Sequence, residues 1–118
     1  MKNDRVGFKY AFSGVYSALK TEHNMKVHFI IMFITIFTGL FLGLTTIEWL
    51  FVLLAIGLVL ALELVNTVVE LITDVLFESQ HETAKLIKDI SAASVLVAAI
   101  FAALVGLIIF LPKILAIL

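Results

Sequence analysis

Three long runs of this chain offer water almost nothing to hold: residues 28–44, residues from 47 to beyond 70, and residues 90–111. In lipid, backbone N–H and C=O groups find no solvent partner, so a spanning segment must satisfy them itself, as an α-helix does. At a rise of about 1.5 Å per residue, runs of about 17 to 25 residues cross the ~30 Å hydrocarbon core. The sequence therefore predicts an all-α membrane protein with three transmembrane helices, over 28–44, 47–74 and 90–111. Of its 118 residues, 63% are hydrophobic and 14% charged, whereas a soluble domain is about 45–50% apolar. A single small domain over 1–118 is expected.

The second run is broken by polar groups at regular intervals. Glu63, Asn66, Glu70 and Asp74 follow one another at spacings of three, four and four. At about 100° per residue they share an arc of roughly 80° on one helix face. Leu64, Val65, Val68, Leu71 and Ile72 fill much of the remainder. Ionisable groups at membrane depth are costly and mark functional sites by default. Acids stacked at helical spacing repel one another. A bound cation, a shared proton or a basic partner relieves that repulsion. The competing reading is a polar seam that only joins helices, in a non-enzymatic helical oligomer or a proton conductor.

Ahead of the spans, residues 5–22 carry Phe8, Phe12, Val15, Tyr16 and Leu19 on one stripe. Lys9, Ser13, Ser17 and Lys20 occupy the other faces. This pattern predicts an amphipathic helix in the membrane interface, or one packed on the protein's own helices. Residues 1–26 are polar and amphipathic, so no cleavable signal is expected. Thr21-Glu22-His23-Asn24 reads as the turn into the bilayer, and Thr45-Thr46 as a tight turn between spans. Gly39 and Gly43 form a small-xxx-small pair suited to close helix contact. Trp49 reads as an interfacial anchor, and Glu48 as a helix-start charge. Residues 78–85 read as a polar solvent-facing loop, with Lys88-Asp89 opening the last helix and Pro112 ending it.

Basic residues set the orientation. Lys2, Arg5, Lys9, Lys20, Lys26, Lys85 and Lys88 flank the N-terminus and the second connection, against Lys113 alone on the other side. Seven against one predicts that the N-terminus and that connection are cytoplasmic. Rising from Trp49, the second helix reaches Glu63 after ~21 Å and Glu70 after ~32 Å. The acidic face then passes from hydrocarbon into cytoplasmic water, where a lipid headgroup meets a soluble reactant. A net charge of −1 argues against nucleic acid as a partner. With no cysteine, thiolate nucleophiles and zinc-thiolate sites are excluded.

Carboxylates, an amide and a lysine at a lipid boundary suit phosphoryl transfer. That chemistry uses Mg²⁺ on one or two carboxylates, completed by nucleotide phosphates. It also uses a cation on the phosphoryl group and a base for the acceptor hydroxyl. Glu22 and Glu70, near the interface, suit the metal, and Lys88 suits phosphate. Glu63 is deeper, where loss of water makes a carboxylate a better proton acceptor. No glycine-rich phosphate loop is present. His28 reads as an interface residue rather than a ligand, His23 as solvent-facing, and His81 as either a nucleotide contact or a solvated loop residue.

Glu63-x-x-Asn66-Thr67-x-x-Glu70-x-x-x-Asp74, then His81-x-x-Ala84-Lys85-x-x-Lys88-Asp89-x-x-Ala92-Ala93, resembles the signature of the small prokaryotic diacylglycerol kinase family. Lys20-Thr21-Glu22-x-Asn24 followed by His28 resembles its N-terminal motif. Val68 and Ser79 depart from it, where the family has a small and an acidic residue. The resemblance implies a homotrimeric integral-membrane lipid kinase of the bacterial cytoplasmic membrane, using ATP and Mg²⁺. It implies Glu63 as the catalytic base and Glu22 and Glu70 as metal ligands within the ATP site. Asn66, His81, Lys88, Asp89 and Tyr10 match further ATP-site positions, with Asp74 supporting them. The N-terminal motif resembles the branch that phosphorylates undecaprenol, diacylglycerol being the alternative acceptor. A closed ring of identical chains also gives the acidic face more cover than one thin bundle. Ala92, Ala93, Ser94, Ala98 and Ala99 would let its neighbours approach closely.

Overall fold

The structure is a computed structural model that describes residues 7–79 and 81–118. Its elements are α1 (Phe8–Thr21), α2 (His23–Leu42), α3 (Thr46–Leu76) and α4 (Glu82–Ile117), with no strand among the described residues. The last three are long and apolar enough to cross a membrane. Most of their large apolar side chains point outward, Phe41, Leu54, Val75 and Ile108 among them. In water such a surface would aggregate; in lipid it faces its proper solvent.

Within one chain the apolar stripe of α1 is largely uncovered. Phe8, Phe12 and Tyr16 are exposed rather than packed on the other helices. Only Ala18 is buried, where α1 meets α2 and α3. The break after α1 is shorter than the four polar residues suggested. Glu22 alone is extended, at φ −107° and ψ 117°, and α2 starts at His23 rather than at 28. Thr21 Oγ1 bonds back to the Ser17 carbonyl, and the Glu22 N–H to that of Ala18, so the last turn of α1 closes on itself.

At the far end, α2 stops at Leu42 because Gly43 adopts φ +74°, a left-handed conformation that glycine adopts without strain. Both Gly43 and Leu44 donate to the Gly39 carbonyl. Gly43 is thus the helix stop, not half of a packing pair. Gly39 does make the close contact, against Trp49: a Cβ there would stand 2.7 Å from the indole. Trp49 packs on this glycine. Thr45 and Glu48 form a capping box that starts α3.

Helices α3 and α4 make the principal packing pair. They run antiparallel, tied at one end by Lys88–Asp74 and at the other by Lys113–Glu48 (3.1 Å). Leu44, Val52 and Ile109 form the core at the Lys113 end, with Trp49, Ile56, Val105 and Phe110 against them. Two expectations for α4 are corrected. It begins at Glu82, capped by His81, instead of at Lys88. It also continues through Pro112 to Ile117. Proline costs a helix one N–H donor, and in membrane helices the freed backbone groups can be satisfied again by neighbours or local adjustment. Of the small residues on α4, Ala98 is buried within the chain, while Ala92 and Ala93 are exposed.

Candidate active site

The face that helical spacing assigned to Glu63, Asn66, Glu70 and Asp74 turns inward on α3 over its middle section. Glu63 is 2% exposed and Asn66 4%. A single chain therefore already covers these two groups, so burial alone does not require a ring of chains. Glu22, at the α1–α2 junction, and His28, in the first turns of α2, lie near Glu63. Thr67 also lies inward, its hydroxyl spent on the Glu63 carbonyl at 2.9 Å. The Asn66 Oδ1 atom is buried and has no hydrogen-bond partner among the described residues.

Glu22, in its extended conformation between α1 and α2, is close enough for its charge to act on both Glu63 and Glu70. Residues more than 40 apart in sequence thus share one patch of negative potential. His28, one and a half turns into α2, places Nε2 3.8 Å from Oε2 of Glu63. From its place in the sequence alone, His28 reads as an interface residue. Its link to Glu63 depends on how α2 crosses α3, which no periodicity within one helix reveals.

The remaining candidates collect where α3 hands over to α4. A polar cavity of about 760 Å³ there is lined by Asp74, Phe77, His81, Lys85, Lys88 and Asp89, among others. Nζ of Lys88 bonds Asp74 Oδ1, and Nζ of Lys85 bonds Asp89 Oδ2, each at 2.5 Å. Glu70 feels the charge of both Lys88 and Asp74, which connects this cavity to the acidic patch. His81 serves the helix: its Nδ1 accepts from Thr83 N–H at 3.1 Å, and its ring packs 4.9 Å from that of Phe77. Lys85, absent from the expected set, lines the same cavity. Its spacing of four from Asp89 was the available signal. Tyr10 stays exposed on α1, and none of the side-chain hydrogen bonds or ion pairs among the described residues involves it.

Among the described residues no three His, Asp or Glu side chains converge as a complete metal cage. Glu22 and Glu70 offer two hard carboxylates, the donor type Mg²⁺ takes when phosphates and water complete its shell. An apolar groove of about 440 Å³ runs between α2, α3 and α4. His28 stands at its head, Val59 and Ala99 line its walls, and Ile114 lies at the far end. Along α3, Glu63 follows the groove-lining Leu60 by about one turn and precedes Thr73 and Asp74 of the polar cavity, and it lines neither space itself.

Sequence comparison agrees with this chemistry. The profile of the family described as prokaryotic diacylglycerol kinase matches residues 9–110. The chain is 36% identical over 106 residues to the undecaprenol kinase of Bacillus subtilis (strain 168), covering 90% of this chain and 86% of that one. It is 38% identical over 112 residues to a diacylglycerol kinase of Synechocystis, covering 94% of this chain and 64% of that longer protein. A diacylglycerol kinase of Haemophilus influenzae is 35% identical over 90 residues, 76% of each chain. The reading as a non-enzymatic oligomer falls with these matches. The chain belongs to the prokaryotic diacylglycerol kinase family and is a lipid kinase built of membrane helices.

Proposed function

We propose that this kinase transfers the γ-phosphoryl group of ATP, with Mg²⁺, to the hydroxyl of undecaprenol at the cytoplasmic face of a bacterial membrane. The observation that carries the reading is the position of Glu63, buried and 3.8 Å from His28, which lines the head of the apolar groove. A lipid alcohol whose tail fills the groove brings its hydroxyl to that carboxylate. Glu63 takes the hydroxyl proton as the oxygen bonds the γ-phosphorus. The bond from that phosphorus to the β–γ bridging oxygen breaks, and ADP leaves. Glu22 and Glu70 would hold Mg²⁺, which offsets charge on the phosphates. Lys88 turns from Asp74 towards phosphate in the polar cavity, with Lys85, Asp89 and His81 around the nucleotide. Asn66 offers its free amide oxygen to a donor on substrate or water. Tyr10 contributes if α1 folds over the bound nucleotide.

The asymmetry of basic residues supports a cytoplasmic site. The small residues exposed on α4 support assembly into a closed homotrimer. Diacylglycerol is the second reading for the acceptor, because relatives of both names align at similar identity and an apolar groove separates aliphatic chains poorly. Radiolabelled ATP supplied to purified protein with undecaprenol and diacylglycerol in parallel decides between them. Faster labelling of undecaprenol is the expected result. Preferential labelling of diacylglycerol reverses the assignment, and labelling of neither removes both.

A further inference from the structure

We infer that His28 is a positioning residue for Glu63, fixing the orientation of the carboxylate that receives the acceptor's proton. The inference rests on the reading of Glu63 as the base. A glutamate has several rotatable bonds, and burial alone does not choose among its rotamers. A base must hold one oxygen about 2.6–3.2 Å from the proton it removes. Anchoring the other oxygen is the simplest way to do so. Among the described residues, His28 is the only basic side chain paired with Glu63, Nε2 to Oε2 at 3.8 Å.

That separation is longer than a hydrogen bond, and catalytic contacts commonly tighten when substrate binds. The two side chains come from different helices, so the link, once tightened, would also tie α2 to α3 at the depth of the reaction. His28 lines the head of the apolar groove. An acceptor filling the groove would press the imidazole towards the carboxylate and leave the second oxygen for the hydroxyl. With its proton on Nε2, a neutral imidazole suffices as donor.

The test compares His28→Leu, which keeps apolar volume, with His28→Gln, which keeps a side-chain N–H. Each is measured for kcat and for KM towards ATP and lipid alcohol, alone and combined with Glu63→Gln. A misaligned group costs up to about 100-fold, so His28→Leu is expected to lower kcat about 10–100-fold with both KM values nearly unchanged. His28→Gln should recover most of the loss. In the Glu63→Gln background, His28→Leu should add nothing, because it acts through the missing carboxylate. A raised lipid KM at normal kcat, or a leucine variant as fast as the parent, overturns the inference. So does failure of glutamine to rescue. If Glu63→Gln itself keeps its rate, the assignment of the base has failed instead. Should leucine not yield folded protein, His28→Met takes its place in every comparison.

Discussion

Nζ of Lys88, near the start of α4, donates to Oδ1 of Asp74, in the last turns of α3. The pair closes the hairpin between the two helices and holds the lysine over the polar cavity. Both groups are substantially exposed, and pairs of that kind add little to stability. The position of the charge is therefore its main consequence. Lys88→Met is expected to raise the KM for ATP about tenfold or more, since a charge-assisted contact to phosphate is lost. Asp74→Asn should move that KM less than about fivefold and leave thermal unfolding in detergent essentially unchanged. Equal ATP saturation curves for parent and Lys88→Met would remove the lysine from the nucleotide site.

Glu63→Gln retains the shape and hydrogen-bonding capacity of the side chain but removes its ability to accept a proton at neutral pH. Loss of one positioned base costs about 10²–10⁴-fold in rate. Turnover should fall by that factor, while nucleotide binding, followed by equilibrium dialysis with ATP, stays within about twofold. A variant that loses ATP binding and turnover together would make Glu63 a structural group.

Much of this site could be read from one helix. Period 3.6 alone aligned Glu63, Asn66, Glu70 and Asp74, and hydropathy alone located the three spans. The rest depends on relations between helices. Nothing in α2 announces that His28 meets Glu63, 35 residues on, because the crossing of α2 and α3 makes that contact. Gly39 and Gly43 look equivalent by spacing, yet one packs under Trp49 and the other turns left-handed. The signal that separates them was present in Thr45-x-x-Glu48, a capping box that starts a new helix at Thr46, three residues after Gly43. His81 had the composition of a loop residue, and the Thr83 N–H it accepts makes it a cap.

Gly39 gives a test of packing at the opposite end of the bundle. A Cβ there would meet the Trp49 ring at 2.7 and 3.2 Å and Leu44 Cδ1 at 3.0 Å. The indole is rigid and already packed against the core around Val52 and Ile109, so it can yield only by shifting α3. Overpacking of this kind costs about 1–3 kcal/mol. Gly39→Ala should lower the unfolding midpoint in detergent, and adding Trp49→Phe should restore part of the loss. An alanine variant as stable as the parent would show that the ring moves aside freely.

Glu22 and Glu70 hold the test of the metal. Their carboxylates come from different elements, the junction before α2 and the interior of α3, yet each lies within the field of the other. Folding brings like charges together here, and a divalent cation turns that repulsion into attraction. Two protein ligands with phosphates completing the shell is an arrangement that suits Mg²⁺. Replacing either glutamate by glutamine removes one anionic ligand and leaves the fold's volume unchanged. The Mg²⁺ concentration for half-maximal activity should rise in both variants, by about tenfold, with much of kcat recovered at saturating Mg²⁺. Removal of Mg²⁺ by chelation should stop the parent enzyme reversibly. A general loss of fold lowers the plateau without shifting the midpoint, so the two outcomes separate on one titration. Superimposable Mg²⁺ curves for parent, Glu22→Gln and Glu70→Gln would sink the assignment of these two carboxylates to the metal.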